Sequence, residues 1–223
     1  EPRKPTLMPA PILPSVELTA QQTRLIFVVY SSALAPLVAI VAMRLRHRLP
    51  EWIWRVYWAG FAGCALGWEL WFTYGWVAGD SVNIRRAQAL SDAIPIHANW
   101  LLNSLADAGS IGLFGLLLAW WLHGRDLRIF DRWHWSAFAV LFTWFIAQNL
   151  IVEMFLYHDQ LAAGKHLSWA PFAPTGPWIN PTLFNWGDRT ITLQGQIPWL
   201  LMTPLYYLGV IGLRKQLLPN IPT

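Results

Sequence analysis

Long stretches of this chain hold almost no charge. Charged residues make up 13% of its 223 positions against 55% hydrophobic, and they fall mainly between apolar runs, the pattern of a chain that crosses a membrane several times. Cysteine is nearly missing too: the single Cys64 lies within an apolar run, which excludes an internal disulfide and a cysteine metal site. Basic residues flank hydrophobic segments instead of forming a patch with interleaved aromatics, so a net charge of +4 gives nucleic acid no support as a partner. No two histidines stand at helical metal-ligand spacing, so neither a metal nor any other cofactor is expected. The length allows one small domain.

What is present is a series of apolar segments. Residues 1–22 form an arm with Pro2, Pro5, Pro9, Pro11 and Pro14, which exclude a regular helix. Between 23 and 217 the hydropathy pattern predicts five transmembrane helices, an all-α integral membrane bundle, at about Leu25–Met43, Trp52–Val77, Ala98–Leu122, Trp135–Tyr157 and Leu193–Leu213. A polar connector holding Asp80, Arg85, Arg86 and Asp92 follows the second span. A long one, 158–192, rich in Pro, Gly, Trp and Asn, follows the fourth, and 218–223 form a tail. Nine Lys and Arg lie on the side of the first and third connectors and the tail, against seven on the other side. That bias favours an inward tail in a bacterial inner membrane or the endoplasmic reticulum. Trp52, Trp54, Trp100, Trp120, Trp121, Trp133 and Trp135 near the span ends read as an aromatic belt.

Few polar groups interrupt the spans, and those few carry the functional reading. Glu69 stands in the middle of the second span, Asp107 in the third and Glu153 in the fourth, while no Lys or Arg lies in the middle of any. An acid at that depth costs about 2.5–3.5 kcal/mol on insertion scales, so it faces protein, water or ligand rather than lipid. Helical spacing puts Thr73 beside Glu69, Asn103 beside Asp107, Asn149 beside Glu153, and Gln196, Trp199 and Thr203 on one face of the fifth span. Alternating span direction brings all of them into one half of the bilayer, where they can line one pocket. The first span, with only Tyr30, Ser31 and Ser32 as interior polar groups, contributes least. Trp68, Trp71, Trp76 and Trp199 add π faces, and acid plus Trp suits an amine or a carbocation.

The chain resembles a known family on short motifs in spans two to five: Glu69-Leu70-Trp71-Phe72, Asp107 followed by Phe114-Gly115, Gln148 with Glu153, and Gln196-Ile197-Pro198-Trp199 with Pro204. These are similar to the emopamil-binding protein, the Δ8-Δ7 sterol isomerase, and so to the EXPERA superfamily that includes the sigma-2 receptor. The resemblance implies an EXPERA-like bundle in which Glu69, Asp107 and Trp199 line a pocket for sterols and cationic amphiphiles, and these three are the catalytic candidates if the chain is an enzyme. Trp68, Trp71, Thr73, Asn103, Asn149, Glu153, Gln196 and Thr203, read from helical spacing and aromatic faces, would bind the ligand, a hydrophobic small molecule or lipid. Ala65 stands where the isomerase has a His, and Gln196 where the family has Asn. Two readings follow. One is a pocket for a sterol, isoprenoid or similar amphiphile, with double-bond isomerisation as its chemistry. The other is a non-catalytic subunit of a larger membrane complex, contacting partner helices, carotenoid or quinone, whereas an isolated monomer or homodimer that retains lipid fits the first.

Overall fold

In the computed structural model, which describes residues 18–75, 81–156, 181–187 and 189–218, helix α1 (Ala20–Leu45) starts earlier than expected. Thr19 and Gln22 cap it reciprocally: the Thr19 hydroxyl accepts from Gln22 N at 3.1 Å, and Gln22 Oε1 accepts from Thr19 N at 3.0 Å. Trp76, His158, His166, residues 1–17 of the arm and most of the long connector lie outside the described residues.

The span that carries Glu69 is not one helix. It divides into α2 (Glu51–Leu66) and α3 (Trp68–Tyr74) at Gly67, whose φ of −95° and ψ of −122° leave the helical region. A Cβ at Gly67 would lie 2.6 Å from the Gly63 carbonyl oxygen, a backbone atom that cannot yield. Among the described residues, four helical stretches are therefore long and apolar enough to cross a membrane: Ala20–Leu45, Ile96–Leu122, Trp135–Phe155 and Gly195–Leu217. The expected second span is present only as halves of 16 and 7 residues.

The next long stretch comprises α6 (Ile96–Ala106), a π-helical turn over Asp107–Leu113 and α7 (Phe114–Leu122). Gly109 in the π turn lets α1 approach closely, since a Cβ there would stand 2.5 Å from the Pro36 Cβ. Pro36 has no N–H for the Ser32 carbonyl one turn back, and Ser110 Oγ supplies the missing donor at 2.7 Å. Short α4 (Val82–Arg85) and α5 (Gln88–Ala93) fill the connector before α6, tied to α1 where the Tyr30 hydroxyl donates to Ala93 O.

Helix α8 (Trp135–Phe155) packs on α9 (Leu193–Leu217), with the antiparallel hairpin β1 (Thr182–Trp186) and β2 (Arg189–Thr192) at their shared end. The fold is mostly helical, as hydropathy predicts, and among the described residues this hairpin is its one small sheet. At the other end Arg214 pairs with Asp131 at 2.6 Å and lies 5.2 Å over the Trp52 ring. Trp52, 4% exposed and against Phe130, is thus core rather than belt, whereas Trp121 and Trp135 at 59% and 74% are open to the surroundings. Two buried cores, one around Leu141, Phe145, Trp199 and Tyr207 and one around Ala33, Tyr57, Leu102 and Leu105, are bridged by Ile53 and Leu113.

The break at Gly67 gives a paired test. Gly67→Ala drives a methyl into a backbone carbonyl and should cost about 1–3 kcal/mol, while a Cβ at Gly63 meets nothing within 4 Å and Gly63→Ala should be neutral. Thermal unfolding in detergent that lowers both variants equally would refute the close approach.

Candidate functional site

The break in the second span turns Trp68 and Glu69 into the bundle. There, with Asn103 and Asp107 from α6 and its π turn and Trp199 from α9, they line a cavity of about 290 Å³. Helix α8 contributes Trp144, Gln148 and Asn149 to this cavity. Helix α1, expected to contribute least, forms a wall with Leu25, Val28, Val29 and Ser32. A second, nearly apolar cavity of about 200 Å³ lies between α2, the π turn and α9 and shares Trp68, Asp107 and Trp199 with the first. The Trp68 and Trp199 rings, 5.1 Å apart, border both.

Thr73 and Asn149 meet Glu69 and Glu153 as helical spacing places them, but Asn103, expected beside Asp107, reaches Glu69 instead, and Asp107 is met from the second span. Trp68 Nε1 donates to Asp107 Oδ2 at 3.0 Å, and the Cys64 thiol adjoins the same carboxyl. Glu69, 4% exposed, accepts from the Thr73 hydroxyl at 3.4 Å on Oε2 and has Asn103 and Asp107 as neighbours. Thr73 does not line the cavity; it is fully buried behind Glu69, where Asn99 Nδ2 donates to it at 3.3 Å.

Glu153 lies away from both cavities. Its Oε1 accepts from Asn149 at 3.4 Å and its Oε2 from Gln196 at 3.0 Å, while Asn149 also donates to Gln196 Oε1 at 2.8 Å. The cluster fastens α8 to α9, and of its members only Asn149 faces the larger cavity. Thr203 is turned to its own helix, donating to Trp199 O at 2.6 Å, and Trp71 lines neither cavity.

The inward packing of the connector was not legible in the sequence. Arg85 and Arg86 are not solvated flanking charges: both are buried, at 0% and 5% exposure. The Arg85 guanidinium lies 4.3 Å from the Phe72 ring centre and donates to Phe72 O, near enough to Glu69 to act on its charge. Arg86 donates to Asn99 Oδ1 at 2.9 Å, to Ser91 and Asn83, and to Ile94 O. Burial draws its guanidinium down to about 10, still cationic at neutral pH. The signal was the Arg pair eleven and twelve residues after α3 ends at Tyr74, with Asn99 following one turn into α6; the spacing alone did not show that the segment folds inward.

Two kinds of acid therefore coexist. Glu153→Gln would set an amide N–H against one of its two donors, so it should cost about 1–3 kcal/mol of stability and leave ligand affinity unchanged, measured by thermal unfolding beside a binding titration. A loss of affinity without a loss of stability would place Glu153 in the ligand site instead. Compared with protein-family models, with curated proteins and with solved structures, the chain finds no match.

Proposed function

We propose that the protein is a multi-pass membrane protein that crosses the bilayer five times, the interrupted α2–α3 segment being the second crossing, and that it binds a sterol, isoprenoid or similar amphiphile in the cavity between Glu69 and Asp107. The observation that carries this reading is the pairing of two carboxyls on one cavity wall with the stacked Trp68 and Trp199 rings beside them. Acids withdrawn from water are costly in a membrane and mark sites of use. Their neighbours here are aromatic faces, which attract a positive head group or a cationic intermediate where water is excluded. A cavity of about 290 Å³ lies at the small end of ligand pockets, roughly 300–1,000 Å³. That favours a slender isoprenoid, or the reacting end of a larger amphiphile.

The chemistry proposed for this site is double-bond isomerisation. One carboxyl of the pair, protonated, gives its proton to an alkene carbon, forming a C–H bond and leaving a cation on the adjacent carbon. The other, as a carboxylate, removes a proton from the next carbon, and that C–H electron pair becomes the new double bond. Return of the proton between the two acids resets the site. No net oxidation occurs. Trp199 steadies the cation between the steps. Ala65 is 2% exposed and its carbonyl accepts from Trp100 Nε1 at 2.8 Å, so no imidazole assists at that position and the two acids divide the donor and acceptor roles.

Glu69→Gln and Asp107→Asn should each lower turnover of a Δ8 sterol or an isoprenoid alkene by about 10²–10⁴-fold, with binding of the neutral substrate nearly intact, because proton transfer matters only in the transition state. Product analysis beside a binding titration decides. Protein that binds these alkenes and converts none of them would leave a binding site and eliminate the isomerase.

A further inference from the structure

Arg86 has donors only, and its Nη1 is bonded to Asn99 Oδ1 at 2.9 Å. The Asn99 amide is thereby held one way round. Its oxygen must face the guanidinium, so its Nδ2 faces α3 and donates to Thr73 Oγ1 at 3.3 Å. A hydroxyl that accepts from an amide has its own proton left to give, and Thr73 gives it to Glu69 Oε2 at 3.4 Å. Asn99 and Thr73 are 2% and 0% exposed, so water does not compete for these groups. Every donor in the run points toward the carboxyl.

We propose that Arg86 is a positioning residue for Glu69: acting through Asn99 and Thr73, it fixes Oε2 as an acceptor and leaves Oε1, on a carboxyl that the Asn103 side chain also reaches, as the oxygen that exchanges a proton with, or pairs with, the bound amphiphile. The role of Oε1 rests on the reading that Glu69 meets a ligand; the direction of the hydrogen bonds does not. A purely structural Arg86, tying α4 and α5 to α6, would need the same contacts, so the test must keep the tie and reverse the direction. Asn99→Asp does this. The new carboxylate still pairs with Arg86, but it has nothing to donate to Thr73, whose hydroxyl then turns toward it and away from Glu69.

The chain has five glutamates, so the side-chain carboxyl carbons of the full-length protein, labelled with ¹³C and held in detergent micelles, can be resolved, and the Glu69 resonance is the one lost in Glu69→Gln. It should move in Asn99→Asp and also in Thr73→Val, which adds no charge, and it should hold its place in Thr73→Ser. Arg86→Met should move it too; if that variant does not fold, Asn99→Asp decides. A Glu69 resonance unmoved in either Asn99→Asp or Thr73→Val overturns the proposal, since the orientation is then not passed along the run. Dodecyltrimethylammonium, followed by Trp fluorescence, tests the ligand side. Thr73→Val should weaken it roughly fivefold, the worth of about one net hydrogen bond, and Thr73→Ser should not. Wild-type protein that fails to bind this probe while the resonance behaves as expected removes the ligand reading and leaves the positioning of Glu69 standing; unchanged affinity in Thr73→Val removes the role assigned to Oε1.

Discussion

A carboxyl taken out of water has to be given donors by the protein, and the interior of this bundle is arranged around that requirement. Trp68 serves Asp107, Thr73 serves Glu69, and Asn149 with Gln196 serves Glu153. The donors come from the acid's own helix one turn away or from the helix packed against it, so each bond also sets how two turns or two helices lie. Breaking the second span at Gly67 belongs to the same arrangement. Without the break Trp68 would continue the course of α2; with it, the indole reaches across to the π turn and the helix restarts with Glu69 in its first turn.

Donor satisfaction alone does not separate a structural acid from a working one. Glu153 has both oxygens bonded and lines neither of the two cavities, which is how interhelical polar glue looks in a membrane bundle. Asp107 borders both cavities and Glu69 the larger one, with an aromatic wall next to them. All three have a polar partner on the same helix face, and that pattern is the same in sequence for the glue and for the site. Only the packing, which puts two of the acids and not the third on these cavities, tells them apart.

Much of the fold was legible for a simple reason: apolar runs of spanning length announce helices, and Ile96–Leu122 and Trp135–Phe155 fall within a few residues of where hydropathy places them. The meeting of Glu69, Asn103, Asp107, Asn149 and Trp199 on one cavity was legible too, because helical spacing and alternating direction together fix face and depth. The break was hidden because Gly67 is one glycine among several in an apolar segment, and what singles it out is the Gly63 oxygen beneath it, a contact that exists only once the chain is folded. The π turn was hidden likewise, though Gly109 and Gly112 close after Asp107 were its trace. Trp52 and Trp135 have the same position relative to a span end, yet one is core and the other open, because Arg214 and Phe130 happen to cover the first.

Arg85 and Arg86 show the limit of reading charge by location. Between two apolar segments a basic pair ordinarily marks the membrane surface, and nothing in their own composition argues otherwise. What draws them inward is demand: the end of α3 presents the Phe72 carbonyl to Arg85, and Asn99 and Ile94 present oxygens to Arg86. Guanidinium suits this task better than ammonium, because its planar fork satisfies several acceptors at once, as at Arg86, and its face can rest on a ring, as at Arg85. The segment 81–95 is then neither a loop nor a span. It packs behind Glu69 and, through a permanently donating group, imposes a direction on the hydrogen bonds there. A neutral amide in place of Arg86 could accept as readily as donate, and that direction would be lost, so a cation is required there by the hydrogen-bond geometry and not only by its charge.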